Sequence, residues 1–112
     1  MAKKYPLIEN PDQLIINEYE PGQGISAHID KIEDFGPVVW SVSLGGNCTI
    51  VFEKDGKKES FYLKRRSLFI MSGDSRYKWT HEIPKRKSDT YNNKKIERTT
   101  RTSMTFRTLN KK

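Results

Sequence analysis

Residues 17–34 read NEYEPGQGISAHIDKIED, and the plan of the chain follows from this stretch. Its Pro-Gly step predicts a turn between two short strands, because proline presets φ and the pair is a strong turn signal. Side chains two residues apart on a strand point to the same face, so His28 and Asp30 are expected to project together. An imidazole and a carboxylate placed in this way can supply two ligands to a metal ion. A third ligand must come from elsewhere, and His81 is the one other histidine of the chain.

Alternating apolar and polar residues continue along the chain and predict an all-β fold. The clearest run is VVWSVSL at residues 38–44, in which every second side chain is apolar. An Asp-Gly pair at residues 55–56, between two further runs, is typical of a β-hairpin turn. About eight short strands are predicted, at residues 14–19, around His28, and at 38–44, 48–53, 58–63, 67–71, 79–83 and 101–108. With no convincing helix among them, they favour a sandwich or a jelly roll.

Length, charge and cysteine content limit what the protein can be. A chain of 112 residues makes one domain. Lys and Arg number 21 against 14 Asp and Glu, for a formal charge of +7. This excess indicates either an anionic partner, with nucleic acid the first candidate, or a charge that keeps a small domain in solution. Cys48 is the only cysteine, which excludes an internal disulfide and a thiolate zinc site.

Neither a membrane span nor a signal peptide is recognisable. No apolar run approaches the roughly 18 residues that a spanning helix needs. The N-terminus has a positive start but no apolar segment behind it. The sequence therefore predicts a soluble cytoplasmic protein, with the nucleus as an open alternative and with no membrane partner.

Two segments are expected to lack regular structure. Residues 1–12 are polar, contain two prolines and predict an arm or a first loop. Residues 84–100 read PKRKSDTYNNKKIERTT, carry no apolar periodicity and predict a long, mobile, basic loop. Such a loop could follow an RNA backbone, and a solvated insert is the alternative.

Two histidines and one carboxylate match the ligand set of the non-haem Fe(II) oxygenases. In that set, two His and one Asp occupy one face of an octahedron and leave three positions open. His28 and Asp30 are two residues apart and His81 follows some fifty residues later, which suits this arrangement. A surface histidine with a capping aspartate is the alternative for the first pair.

The last predicted strand presents a row of polar side chains on one face: Arg101, Ser103, Thr105 and Arg107. Two arginines facing the interior would be costly to bury without an anion. A dicarboxylate cosubstrate would satisfy both through charge-assisted hydrogen bonds. An edge strand with a solvated basic face is the other interpretation.

These motifs together resemble the AlkB family of Fe(II)- and 2-oxoglutarate-dependent dioxygenases. The matching positions are N-x-Y-x-P-G at residues 17–22, H-x-D at 28–30, His81, and R-x-S-x-T-F-R at 101–107. The resemblance runs from about residue 11 to residue 109. The stretches PDQLIINEYEPGQGI, RRSLFIMSGDSRYKWTH and RTSMTFR are most similar to the branch that includes the tRNA wobble-uridine hydroxylases.

The resemblance implies a double-stranded β-helix and a role for seven side chains. The implied iron ligands are His28, Asp30 and His81. The implied 2-oxoglutarate residues are Arg101 and Tyr19 at the distal carboxylate, with Asn17 and Arg107 nearer the keto-acid end. The implied cofactors are Fe(II), 2-oxoglutarate as cosubstrate, and O2.

The segment SGDSRYKWTH at residues 72–81 offers two candidate substrate contacts. An exposed Arg76 could meet an RNA phosphate, and Tyr77 could stack on a base. The alternative is a structural loop whose aromatic residues pack under the barrel rim.

The activity implied is hydroxylation of a modified nucleoside in RNA, with tRNA wobble uridine the first candidate. Oxidative demethylation of alkylated nucleic-acid bases and a catalytically silent RNA-binding module on the same barrel are the alternatives. The resemblance makes residues 1–112 a single catalytic core that lacks the N-terminal nucleotide-recognition lid usual in the family. A partner protein or an oligomer covering the open site is therefore expected.

Overall fold

A computed structural model describes residues 11–110, and the first part of the predicted arm, residues 1–10, lies outside them. The strands are β1 Gln13–Tyr19, β2 Ile25–His28, β3 Phe35–Gly45, β4 Cys48–Lys54, β5 Lys57–Leu63, β6 Ser67–Met71, β7 Thr80–Ile83, β8 Ser88–Tyr91, β9 Lys94–Glu97 and β10 Arg101–Leu109. A one-turn helix, α1, covers Asp74–Tyr77. All eight predicted strands are present, so the all-β prediction is confirmed.

Two four-stranded antiparallel sheets form the barrel. The first has the order β1-β10-β3-β6 and the second the order β2-β7-β4-β5. From β1 to β7, successive strands cross between the two sheets, apart from the β4–β5 hairpin, and side chains from both sheets line one cavity between them. Strands β8 and β9 form a separate two-stranded sheet. Of the two architectures that the strand pattern favours, this is the jelly roll, and it is the double-stranded β-helix that the family resemblance implies.

The β4–β5 hairpin has the turn that its sequence demands. Lys54 pairs with Lys57 at its end, so Asp55 and Gly56 are the two turn residues. Both have positive φ, at 50° and 81°. An Asp-Gly pair tolerates this geometry, and its twist matches that of the flanking strands.

The predicted loop at residues 84–100 is wrong, because most of it forms the β8–β9 hairpin. Its turn is Asn92-Asn93, in which both residues have positive φ. Polar contacts hold the hairpin and attach it to the barrel: Arg98 donates two hydrogen bonds to the buried carboxylate of Asp89, at 2.7 and 2.9 Å, and the backbone N–H of Thr49 in β4 donates to the same carboxylate at 3.3 Å. Tyr91 stacks on Tyr62 of β5 with ring centroids 4.4 Å apart. Contacts of this kind leave no apolar periodicity in the sequence.

The helix α1 is the second departure from the sequence prediction. It has a single turn, between β6 and β7, and buries Arg76. Within residues 11–110, no helix is long and apolar enough to cross a membrane.

The first sheet supplies polar side chains to the cavity. Ser41 of β3 and Ser103 and Thr105 of β10 line it, whereas Trp40 and Phe106 stack on each other on the opposite face of the sheet, with centroids 4.2 Å apart. The buried apolar cluster of Cys48, Ile50, Leu63 and Ile83 belongs to the second sheet. The hydroxyl and guanidinium groups of the cavity therefore come from the first sheet, where apolar side chains such as Val39 and Met71 lie among them.

Candidate active site

His28, Asp30 and His81 come together between the two sheets. His28 pairs directly with His81 across β2 and β7, and the ring centroids are 4.4 Å apart. Asp30 Oδ1 lies 3.3 Å from Nε2 of His28 and 3.5 Å from Nε2 of His81. The strand ends at His28, so Asp30 reaches the cluster from the following loop and not by strand alternation.

The donor atoms of these three side chains suit a divalent metal ion. One ligand atom from each residue lies within 4.8 Å of the others. Nδ1 of His28 lies 2.7 Å from the carbonyl oxygen of Ser26. A carbonyl can only accept, so Nδ1 carries the proton and Nε2 keeps a free lone pair for a metal. Two imidazole nitrogens and one carboxylate oxygen are the donor set that Fe(II) takes in the oxygenases.

The second histidine is held in its neutral form. Burial, with the nearby His28 ring, lowers the pKa of His81 from 6.5 to about 4. Its side chain is only 12% exposed, and the Phe52 ring lies 6.1 Å away between centroids. A metal ion binds neutral imidazole, so His81 is ready to act as a ligand at neutral pH.

One cavity of about 220 Å³ contains the cluster and extends into the barrel. A water molecule takes about 30 Å³ in the liquid, so this space suits a small organic acid. All seven side chains implied by the family resemblance line it: Asn17, Tyr19, His28, Asp30, His81, Arg101 and Arg107. The structure therefore brings the predicted site together, while the individual roles stay predictions.

Arg101 is a buried cation without a carboxylate partner. The residue is 5% exposed, and no salt bridge joins it to a carboxylate of residues 11–110. Nε donates to Oγ of Ser43 at 2.9 Å, and the guanidinium lies 5.5 Å from the centre of the Tyr19 ring. A buried charge is costly unless an anion accompanies it, so this arrangement suits a carboxylate of a bound ligand.

Arg107 connects the cavity wall to the metal cluster. Its Nη1 lies 3.1 Å from Oδ2 of Asp30, and its guanidinium packs 3.9 Å from the centre of the Phe35 ring. Its Nε is buried and has no hydrogen-bond partner within the described residues. An unused buried donor beside the cluster is the second feature that suits an acidic ligand.

The predicted exposure of Arg76 is wrong. The residue is 1% exposed, and its guanidinium donates to backbone carbonyls, including that of Asp30 at 2.8 Å. A side chain enclosed in this way cannot meet an RNA phosphate. Tyr77 is half-buried, with the Arg76 guanidinium 4.9 Å from its ring centre, and its contact with substrate stays a prediction.

Two residues of the site have no obvious signal in the sequence. Ser43 is fully buried and accepts the Arg101 hydrogen bond. Phe52 packs near His81 and contacts Phe61. For Ser43 the sequence holds one weak signal: the alternating serines of VVWSVSL indicate a polar face on an otherwise apolar strand.

Comparisons with known proteins agree with this geometry. A family model described as the 2OG-Fe(II) oxygenase superfamily matches residues 2–107. Uncharacterized protein L905 of Acanthamoeba polyphaga mimivirus is 43% identical over 104 residues, which cover 90% of this chain and 50% of that protein. The tRNA (carboxymethyluridine(34)-5-O)-methyltransferase ALKBH8 of Macaca fascicularis is 52% identical over 81 residues, which cover 71% of this chain and 12% of that protein.

A solved structure is also similar. That of OsALKBH1 superposes with a TM-score of 0.68 at 26% identity, over 90% of this chain and 49% of that chain. The chain thus spans about half the length of the mimivirus protein and of OsALKBH1, and a smaller part of ALKBH8.

A double-stranded β-helix that carries two histidines and one carboxylate defines the class of the non-haem Fe(II) dioxygenases. The family model extends over nearly the whole chain, and the proteins similar to this chain include ALKBH8 and OsALKBH1. The protein belongs to the 2OG-Fe(II) oxygenase superfamily and, within it, to the AlkB family. Membership of this family implies Fe(II), 2-oxoglutarate and O2 as cofactors, and His28, Asp30 and His81 are the residues that could hold the metal.

Proposed function

We propose that this dioxygenase hydroxylates a modified nucleoside in RNA, with tRNA wobble uridine as the substrate. The observation that carries the catalytic part is the convergence of His28, Asp30 and His81 in one cavity with the unpaired, buried Arg101. With 2-oxoglutarate and O2, Fe(II) supplies the oxidation of a C–H bond, and succinate and CO2 are released.

Each side chain has a defined task in this proposal. His28, with its proton fixed on Nδ1, and the neutral His81 present their Nε2 atoms to the metal. Arg107 orients the carboxylate of Asp30 through its hydrogen bond. Arg101, fixed by Ser43 and Tyr19, would receive the distal carboxylate of 2-oxoglutarate. Asn17 and Arg107 would bind nearer its keto-acid end, as the family resemblance implies.

Two adjacent basic turns support RNA as the substrate. Lys64, Arg65 and Arg66 are exposed in the β5–β6 turn, where backbone N–H groups of residues 65 and 66 donate to Asn47 Oδ1 and Ser43 O. The Lys64 ammonium lies 4.9 Å from the ring centre of Tyr91, which joins this turn to the hairpin that carries Lys94 and Lys95. We define these five cations as the basic corner. Such clusters bind phosphate backbones and lose affinity as salt rises.

The choice of tRNA rests on a relative. The name of ALKBH8 gives its substrate as carboxymethyluridine 34 of tRNA, and 71% of this chain matches that protein. A partner subunit that covers the cavity remains part of the proposal, as does a cytoplasmic or nuclear location.

The first experiment is an anaerobic titration of Fe(II)-loaded protein with 2-oxoglutarate, followed by the visible charge-transfer band of the chelate. A saturating band that is absent in H81A is expected. Loaded protein is then incubated in air with a tRNA anticodon stem-loop that contains carboxymethylated wobble uridine, and the nucleoside is analysed by mass spectrometry.

The outcomes separate the candidate functions. Gain of one oxygen atom on the wobble uridine supports the proposal. Formaldehyde release from methylated bases, without that gain, supports the demethylase instead. Absence of the charge-transfer band in folded protein would contradict the dioxygenase proposal and favour a catalytically silent RNA-binding module.

A further inference from the structure

Arg76 lies directly behind the metal cluster and contacts the loop that carries Asp30. Its guanidinium donates four hydrogen bonds, all to backbone carbonyls: those of Asp30 at 2.8 Å, Gly36 at 3.0 Å, Phe35 at 3.2 Å and Lys31 at 3.3 Å. We define residues 30–36 as the Asp30 loop. Both ends of this loop are thereby attached to one side chain.

The burial of this cation is a strong constraint on the fold. Arg76 is 1% exposed and is the largest fully buried side chain among the described residues. A guanidinium removed from water must use its donors, because each unused one costs free energy. Its planar fork reaches several carbonyls at once, a geometry that a lysine ammonium cannot reproduce. The four carbonyls are therefore held at fixed positions.

Asp30 is consequently held at both ends of the residue. Its carbonyl oxygen accepts from Arg76 Nη1, and its carboxylate accepts from Arg107 Nη1. The residue lies two positions beyond the end of β2, so no strand pairing fixes it. The hydrogen bond from Arg76 replaces the support that a strand would give.

We propose that Arg76 is a positioning residue that sets the metal affinity of the site by fixing the backbone of Asp30. It acts through Asp30 and does not touch the metal. This inference rests on the ligand role of Asp30 in the proposed function, but it does not depend on which substrate is oxidised. Residues that orient a ligand typically change metal affinity by about 10- to 100-fold when they are replaced.

Two residues provide matched controls. Arg98 is also a buried arginine, 8% exposed, but it holds the β8–β9 hairpin through Asp89. Asn110 is exposed and binds the same loop, since its Nδ2 donates to the carbonyls of Ile32, Glu33 and Phe35 without contacting Asp30. Arg98 therefore matches the burial and charge of Arg76, and Asn110 contacts the same loop as Arg76.

The test measures Mn(II) affinity by the loss of the free-ion electron paramagnetic resonance signal, at a temperature where circular dichroism shows every variant folded. R76K and R76Q are expected to weaken Mn(II) binding by about 10- to 100-fold. R98K and N110A are expected to bind Mn(II) like the parent protein, although R98K lowers the melting temperature. Two Arg76 variants are used because either one could fail to fold.

The Co(II) spectrum provides a reading that loss of stability alone would not change. A displaced Asp30 alters the visible ligand-field bands of bound Co(II) in R76K, whereas R98K at equal stability keeps the parent spectrum. Parent-like Mn(II) affinity and Co(II) bands in both Arg76 variants would overturn the inference. Equal weakening in R76K and R98K would also overturn it, because it would reduce Arg76 to a general contributor to stability.

The two proposals fail in different ways. If D30A binds Mn(II) as tightly as the parent protein, the ligand assignment falls and the role of Arg76 falls with it. If metal binding behaves as expected but no RNA is oxidised, only the substrate proposal is lost.

Discussion

Asp30 is the residue on which most of the site converges. Its carboxylate lies near Nε2 of both histidines and accepts a hydrogen bond from Arg107, and its carbonyl accepts from Arg76. The carboxylate thus has three neighbours, the Nε2 atoms of two histidines and the Arg107 guanidinium. A metal ion between the carboxylate and the two neutral imidazoles would have the donor set of the Fe(II) oxygenases.

Replacement of Asp30 tests the metal centre. D30A, like H28A, is expected to abolish Fe(II)-dependent turnover of 2-oxoglutarate while the barrel stays folded, because the metal loses a ligand. Succinate formation measures turnover, and far-ultraviolet circular dichroism measures folding. Fe(II)-dependent succinate formation that persists in both variants would contradict the assignment of these ligands.

Replacement of Arg101 tests the cosubstrate site. Truncation of one partner of a buried charge pair costs at least about 2 kcal/mol, so R101A is expected to raise the apparent KM for 2-oxoglutarate by about 30-fold. S43A removes only the hydrogen bond to Nε and should have a smaller effect in the same direction. Mn(II) affinity is the control and should not change. An unaltered KM would mean that the distal carboxylate binds elsewhere.

At the scale of the elements, local sequence patterns predicted strands well and predicted their environment poorly. VVWSVSL predicts β3, but the pattern does not say which face is inside, and the serine face lines the cavity. The H-x-D spacing predicted that His28 and Asp30 lie together, and they do. The cause is not strand alternation, because β2 ends at His28 and Asp30 lies in the following loop. The β8–β9 hairpin escaped detection because Asp89, Arg98 and stacked tyrosines hold it, and these contacts leave no apolar period.

The hairpin gives a prediction for stability and pH. Burial alone raises the pKa of Asp89, but hydrogen bonds from Arg98 and Thr49 outweigh it and lower the pKa below 3.8. A depressed pKa stabilises the fold above the unfolded value and ceases to do so as pH falls through the folded value. D89N should lower the free energy of unfolding by about 3 to 5 kcal/mol at neutral pH.

Urea unfolding of both proteins at several pH values measures this effect. The difference between the parent protein and D89N should be constant above pH 3.8 and shrink below it. E97Q is the matched control, because Glu97 lies on the same hairpin and its salt bridge with Lys95 is exposed. A difference that does not shrink in acid would show that the carboxylate charge contributes nothing.

At the scale of the whole molecule, the two sheets contribute different side chains to the site. The second sheet supplies the apolar cluster and the two histidines, and the first supplies Arg101, Arg107 and the serines of β3 and β10. Length predicted one domain, and the excess of basic residues left two interpretations open, an anionic partner or a charge that keeps the domain in solution. Length and charge could not predict how Lys64 and Tyr91, far apart in sequence, come within 4.9 Å and join two turns into the basic corner.

The basic corner makes a prediction for RNA binding by the whole molecule. Each phosphate contact contributes about −0.7 to the slope of log affinity against log salt for single strands. K64Q/R65Q/R66Q removes three cations that form no salt bridge within the described residues, so the slope should become less steep by about 2 and affinity should fall at low salt. K54Q/K57Q/K58Q, around the β4–β5 turn at the other end of β5, loses the same charge and should change the slope less. Fluorescence anisotropy with a labelled anticodon stem-loop measures both, and equal changes in the two variants would mean that net charge, and not the corner, attracts the RNA.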